Sequence, residues 1–154
     1  MTRILFVCWG NICRSPMAEC IMKDRVAKAG LADRVEIASA APSDEEIWNG
    51  VGNPVYPPAR KILAEHGLSC EGKRAYQLTK EDYDRYDLLI CMERINVRYT
   101  KAIVGGDPEG KIHLLLDYTD RAGQEVADPW YTRDFETTWR DLVEGCRGLL
   151  EYLL

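Results

Sequence analysis

The residues whose types and spacing could do chemistry lie at the two ends of the chain. Near the start, Val7-Cys8-Trp9-Gly10-Asn11-Ile12-Cys13-Arg14-Ser15-Pro16 sets Cys8 and Arg14 at Cys-x5-Arg spacing. A thiolate is a strong nucleophile, and a guanidinium can grip two phosphate oxygens with a planar geometry that lysine lacks. Together they suggest attack of sulfur on phosphorus. The spacing alone is weak, because a chain with this many Cys and Arg gives about half a match by chance. Its context is more specific: an apolar run Ile4–Val7 before it, a glycine inside it, Ser15 after the arginine, and Pro16 at the start of a helical pattern.

Such a loop must be positioned by a strand that ends in it and a helix that begins from it. That arrangement aims backbone N–H groups and the positive end of a helix dipole at one place, which makes an anion site. These donors favour the thiolate form of Cys8 and a bound phosphoryl dianion alike. Gly10 allows close backbone approach, Asn11 tolerates the left-handed conformation, and Trp9, Ile12 and Cys13 complete the phosphate-binding loop. The Ser15 hydroxyl can donate to the sulfur or cap the helix, and its position allows both. The leaving oxygen needs a proton, for which the candidate is Asp128 in Asp128-Pro129-Trp130-Tyr131. The same carboxyl would then activate water to release phosphate. Trp48, alone in a polar loop, is a hydrophobic plug or one wall of a cleft.

The remaining pattern alternates strands and helices. Strands are expected at Ile4–Val7, Val35–Ala40, Asp87–Met92 and Ile112–Leu116. Helices are expected from Ser15 to Ala29, Ala59 to Glu65, Thr79 to Arg85, Glu93 to Ile103 and Thr132 to Leu154. Thr79 and Asp82 suggest a capping box, and His66 suits a helix C-terminus. Residues 42 to 58 and 117 to 128 read as loops. The expected fold is α/β, a three-layer arrangement of a four-stranded parallel sheet with helices on both faces and right-handed crossovers, doubly wound in the flavodoxin-like manner. In such sheets a ligand sits outside the carboxyl ends of the strands, where the Cys8 loop falls.

With 154 residues and neither repeat nor linker, residues 1–154 read as a single domain. A net charge of −5 argues against a nucleic-acid partner, so any phosphate site is built locally against the overall charge. No signal-like or membrane-spanning segment is evident, which points to the cytoplasm and to no membrane partner. The six cysteines lack C-x-x-C spacing and read as free thiols, not as a disulfide framework or a metal cluster.

The loop from Cys8 to Pro16 and the Asp128–Tyr131 segment resemble the low-molecular-weight protein tyrosine phosphatases. The likeness runs along the whole chain through His66-Gly67, Gln77-Leu78-Thr79-Lys80-Glu81-Asp82 and Cys91-Met92 with Asn96 beyond. The resemblance implies a phosphocysteine mechanism without metal or other cofactor. Cys8 would be nucleophile, Arg14 phosphate clamp, and Asp128 acid then base. It implies a phosphotyrosine protein as substrate, phosphate as product, and Trp48, Trp130 and Tyr131 as walls of a cleft deep enough for an aryl phosphate. It further implies that Cys13 can form a reversible disulfide with Cys8 under peroxide, protecting the nucleophile.

The chain departs from the family at Tyr56-Pro57-Pro58-Ala59, where many relatives carry Asp-Pro-Arg-Ala, and at Glu93, where relatives carry Asp. Lys73 and Tyr76 match a His and an Arg of relatives, and Ser39 matches a Ser of their hydrogen-bond network. A sister activity, phosphoarginine hydrolysis, tends to carry Thr at the position of Ile12, so Ile12 with Trp130-Tyr131 favours phosphotyrosine. Arsenate reductases of this fold need two neighbouring cysteines near the third strand, and Cys70 and Cys91 are far apart. A non-catalytic phosphopeptide-binding module would not need both a thiolate and a distant acid.

Overall fold

Ile4, Leu5, Phe6 and Val7 are all fully buried. A strand buried on both faces requires a layer of helices on each side of its sheet. The computed structural model describes residues 1–154 and shows both layers. In chain order the elements are β1 (Thr2–Val7), α1 (Arg14–Lys28), β2 (Val35–Ala40), β3 (Ile47–Trp48), β4 (Val51–Gly52), α2 (Pro57–Glu65) and α3 (Asp82–Arg85). They continue with β5 (Leu88–Cys91), α4 (Arg94–Val104), β6 (Ile112–Leu114), a 3-10 turn at Leu115–Tyr118, α5 (Pro129–Thr132) and α6 (Phe135–Leu153).

The parallel sheet has the order β2-β1-β5-β6, so the chain winds outward from β1 in both directions. Ile4 and Phe6 face a core shared with Met17, Ile21 and Met22 of α1 and with Leu142, Cys146 and Leu149 of α6. Leu5 and Val7 face the opposite core, with Leu89, Val104 and Ile112. The α/β doubly wound expectation is met, and β1 ends at the topological switch point. Val7 aligns with Ala40 on one side and Cys91 on the other, so three strands finish together beside Cys8. The backbone N–H of Met92 donates to Val7 at 3.1 Å, and that of Val126 donates to Met92 at 3.0 Å. This continuation draws residues 126–128 across to the same end of the sheet.

Several local expectations shift. The fourth strand stops at Leu114, not Leu116: Asp117 accepts from the Leu114 N–H at 3.2 Å and turns the chain into the 3-10 segment. The loop over residues 42 to 58 contains the β3–β4 hairpin, turned by Asn49 (φ 50°) and Gly50 (φ 77°). The last helix is divided. Asp128 and Pro129 start the separate short helix α5, Arg133 breaks it at φ 58°, and Asp134 caps α6 through the Thr137 N–H. Of the expected box at Thr79, only the bond from its N–H to Asp82 forms, at 2.8 Å, and the helix begins at Asp82. His66 does sit at the end of α2, where its ring stacks on Trp139 with centroids 3.9 Å apart. No helix is long and apolar enough to cross a membrane.

Candidate active site

The loop between β1 and α1 is held from three directions. Cys8 donates its N–H to Ala40 at 3.4 Å, and Tyr56 donates its own to Ile12 at 2.8 Å. The Ser43 hydroxyl donates to the Trp9 carbonyl at 2.7 Å. Within this frame none of the backbone N–H groups from Trp9 through Ser15 donates to another protein group. A run of unpaired amides leading into a helix N-terminus is an anion cradle. Asn11 occupies the left-handed region at φ 59°, which turns the chain inward. Gly10 has a packing reason: a Cβ there would lie 3.2 Å from the Cγ of Glu46.

The Cys8 sulfur is buried and lies 3.0 Å from the Ser15 hydroxyl. Helix α1 begins at Arg14 with no side-chain cap, so the helix-capping alternative for Ser15 is not realised. Hydrogen-bond polarity fixes the direction of its proton. The Tyr76 N–H donates to Asn11 Oδ1 at 2.9 Å, which orients the Asn11 amide. Asn11 Nδ2 then donates to Ser15 Oγ at 2.8 Å and to Ser39 Oγ at 2.9 Å. Ser39 in turn donates to Glu19 Oε1 at 2.6 Å. Glu19 is paired with Lys23 at 2.6 Å and Lys73 at 3.6 Å, so its carboxylate only accepts. Both serine oxygens therefore accept from Asn11, and the Ser15 proton is left to point at sulfur.

Lys73 joins this network through the backbone. Its ammonium donates to the Ser39 carbonyl at 2.9 Å, leaving the Ser39 hydroxyl free for Glu19. Burial lowers the Lys73 pKa from its ordinary value, and Glu19 acts against that shift.

Arg14 is 3% exposed and donates to the Val126 carbonyl at 2.9 Å, to Glu93 at 2.6 Å and to Asp128 at 3.4 Å. Three of its five N–H donors are thus engaged, and two remain for an anion. Burial works against its charge, but Cys8, Glu93 and Asp128 outweigh that effect and raise its pKa. Asp128 accepts from the Trp130 N–H at 3.0 Å with its other oxygen, so one carboxylate both caps α5 and meets Arg14. Burial, followed by the nearby Cys8, pushes the Cys13 thiol well above its ordinary pKa, against the pull of Arg14.

These groups open into a cleft of about 690 Å³. Cys8, Trp9, Gly10, Ile12, Cys13, Arg14, Asp128, Trp130 and Tyr131 line it, while Asn11 and Ser15 lie behind the wall, both buried. Trp48 is a correction to the expected cleft walls. The hairpin carries it outward, where it is 78% exposed and does not line the cavity. The wall contains instead Tyr56, which stacks on Phe135 at 6.4 Å and tilts against Trp130 at 6.2 Å. On the other side Ile95 and Tyr99 of α4 complete it, with Tyr99 edge-on to Trp9 at 5.0 Å. Neither is singled out from sequence; the signal held there is their i and i+4 spacing, and the structure shows that α4 exposes both. No group of three His, Cys, Asp or Glu side chains is arranged to hold a metal ion.

Comparison with known proteins agrees with this geometry along the whole chain. A family model described as low molecular weight phosphotyrosine protein phosphatase matches residues 3–154. The low molecular weight protein-tyrosine-phosphatase YfkJ of Bacillus subtilis is 38% identical over 151 residues, covering 97% of this chain and 94% of its own length. Its crystal structure superposes with a TM-score of 0.92, at 36% identity over 99% of this chain and 94% of that one. The low molecular weight phosphotyrosine protein phosphatase of Sus scrofa is 38% identical over 152 residues, 96% of this chain and 93% of its own. A structure of the YwlE arginine phosphatase, a cysteine-to-serine variant with a phosphorylated active-site serine, aligns with a TM-score of 0.83 and 26% identity, covering 99% of this chain and 95% of that one. The class these matches define is the cysteine-dependent phosphoric monoester hydrolases. Within it, the chain belongs to the low molecular weight phosphotyrosine protein phosphatase family.

Proposed function

We propose that residues 1–154 act as one phosphatase domain that hydrolyses phosphotyrosine in proteins through a phosphocysteine intermediate. The observation that carries this reading is the run of unpaired amides from Trp9 to Ser15, closed by Arg14 and opening onto Cys8 in an aromatic-walled cleft. The amides and the two free Arg14 donors take the equatorial phosphate oxygens. The Cys8 thiolate attacks phosphorus in line, the bond to the tyrosyl oxygen breaks, and Asp128 delivers a proton to that oxygen. In the second step Asp128 takes a proton from water as the water displaces sulfur, releasing inorganic phosphate. The Ser15 hydroxyl stabilises sulfur both as nucleophile and as leaving group. No cofactor takes part. All six thiols are free, which suits a reducing compartment such as the cytoplasm.

The test is a comparison of phosphotyrosine, phosphoserine and phosphoarginine peptides, with arsenate reduction as a control. Preferential turnover of the tyrosine peptide is expected. The arginine reading is the second one, favoured by the structural likeness to YwlE, and preferential turnover of phosphoarginine would establish it in place of the first.

Two further outcomes are expected. Glu19 is a positioning residue, since it acts on sulfur only through Ser39, Asn11 and Ser15. Glu19→Gln removes the charge that orients the Ser39 proton, and kcat should fall about tenfold, the scale of one charge-assisted hydrogen bond. KM for an aryl phosphate should stay within about threefold, since the amides and Arg14 are untouched. An equal change in both constants would reduce Glu19 to a fold-stabilising role. For Cys13, peroxide converts the Cys8 thiolate to a sulfenic acid, and the Cys13 thiol then displaces water to form a disulfide. Dithiothreitol should restore wild type after peroxide and restore Cys13→Ala less fully, read as recovered turnover.

A further inference from the structure

The charges around the cleft are unbalanced in a way the phosphate chemistry does not require. Its charged lining consists of Arg14, Glu45, Glu46, Glu93 and Asp128. Arg14 meets Glu93 and Asp128 deep in the site, so those two acids are already matched with the only cation of the lining. Glu45 and Glu46 have no such partner, as neither takes part in a salt bridge. They lie on the segment between Ser43, which is bonded to the Trp9 carbonyl, and β3.

Glu46 is fixed in place. Its stem packs over Gly10 of the phosphate loop, and its Oε1 accepts from Asn53 Nδ2 at 3.0 Å. Its backbone carbonyl also accepts from the Asn53 N–H at 2.8 Å. Glu45 beside it is exposed. Arg74, on the segment bridged to Pro54, donates to the Gly52 carbonyl at 2.9 Å and does not line the cleft. A protein with a net charge of −5 thus places two uncompensated carboxylates at the mouth of a site built for a dianion.

Those carboxylates oppose acidic substrates and reward basic ones. In an extended peptide, successive Cα atoms are about 3.8 Å apart, so residues next to the phosphorylated one fall within the roughly 10 Å over which charges act at 0.1 M salt. We propose that Glu45 and Glu46 make the enzyme select phosphotyrosine flanked by lysine or arginine and discriminate against acidic flanks. The inference rests on the phosphotyrosine reading above and adds the class of sequence that site accepts. Glu45 and Glu46 act on binding, since neither approaches Cys8, Arg14 or Asp128 by hydrogen bond or ion pair.

The experiment uses three phosphotyrosine peptides identical except for arginine, alanine or glutamate on both sides of the tyrosine. At low ionic strength kcat/KM should be about tenfold higher with arginine than with glutamate flanks, with the difference carried by KM. A tenfold ratio corresponds to about 1.4 kcal/mol. Two exposed charge pairs supply that scale. In the Glu45→Gln/Glu46→Gln variant the ratio should contract to about twofold, and 0.5 M salt should contract it in wild type. The matched removal of two remote charges, Asp33→Asn/Glu151→Gln, should leave the ratio intact. Asp33 precedes β2 at the amino-terminal edge of the sheet, and Glu151 lies near the far end of α6. A ratio near one in wild type with all peptides hydrolysed overturns the inference while leaving the phosphotyrosine reading standing. A contraction equal in both double variants also overturns it, assigning the preference to net charge. Failure to hydrolyse any of the three, with a phosphoarginine peptide turned over, removes the phosphotyrosine reading itself and the inference with it.

Discussion

Cys8→Ser is expected to cut turnover of an aryl phosphate by about 10⁴-fold or more while inorganic phosphate still binds. A serine hydroxyl at that position would need a base bonded to it, and the one side chain hydrogen-bonded to position 8 is the Ser15 hydroxyl. The chain has two histidines: His66 is stacked on Trp139, and His113 is bonded to the Gly110 carbonyl at 2.8 Å. The neighbouring Ser15 is committed by the Asn11 network to donating toward position 8, so it cannot take a proton from it. Binding does not depend on sulfur. The amides from Trp9 to Ser15 and the Arg14 guanidinium remain, and removing an anion from beside a dianion relieves repulsion. Phosphate titration by calorimetry and turnover of an aryl phosphate measure the two halves of this expectation. Activity within about tenfold of wild type would exclude Cys8 as nucleophile.

Asp128→Ala should lower kcat by about 10²–10⁴-fold for phosphotyrosine, the usual span for loss of a general acid. For an aryl phosphate whose leaving group is strongly acidic the loss should be far smaller, because such an oxygen departs without a proton. The substitution has a second effect, since Asp128 also caps α5. Losing a cap costs about 1 kcal/mol locally and loosens Trp130 and Tyr131, which should raise KM for every aryl substrate alike. Asp128→Asn separates the two effects: it keeps a side-chain oxygen to accept the Trp130 N–H but has no acidic proton. A leaving-group-dependent kcat loss with near-normal KM is the expected signature of Asp128→Asn. Equal losses for good and poor leaving groups would remove Asp128 from the acid role.

The parts legible in the sequence are those encoded by neighbouring residues. The apolar run of β1, the helical pattern of α1 and the Cys8–Pro16 loop between them lie within one stretch of chain. The alternation of strands and helices then implied the parallel sheet and its ligand-binding edge. Two local features were visible and still misread. Asn49-Gly50 is the strongest short hairpin signal there is, yet its flanking strands have only two residues each, and the segment read as loop. The loop reading left Trp48 as plug or wall, the resemblance placed it in the wall, and the hairpin carries it outward instead. Asp128-Pro129 is likewise a cap followed by a proline at the first helical position, which predicts α5.

The remainder was not local. Tyr56 enters the site because its N–H bonds Ile12, and Ile95 and Tyr99 enter because α4 passes beside the β1 loop. The network behind Cys8 joins Glu19 of α1, Ser39 of β2, and Lys73 and Tyr76 of the stretch between α2 and α3, three separate segments. Lys73 was the least readable of these. Matched against a family histidine it looks like a loss, but the ammonium reaches the Ser39 backbone and Glu19 instead, and the orientation of Asn11 survives.

The bonds from Arg14 to Val126 and Asp128 span 112 and 114 residues, most of the length of the chain. At about 5–20 residues per second, a ribosome needs about 6–24 s to go from Cys8 to Asp128. During that interval the nascent chain carries the sulfur without the groups that later enclose it, and Arg14 has neither of those partners. Until α6 is made, the face that β1 and α1 share has no cover. Limited proteolysis of stalled ribosome complexes should cut β1 and α1 until α6 has emerged and spare them afterwards.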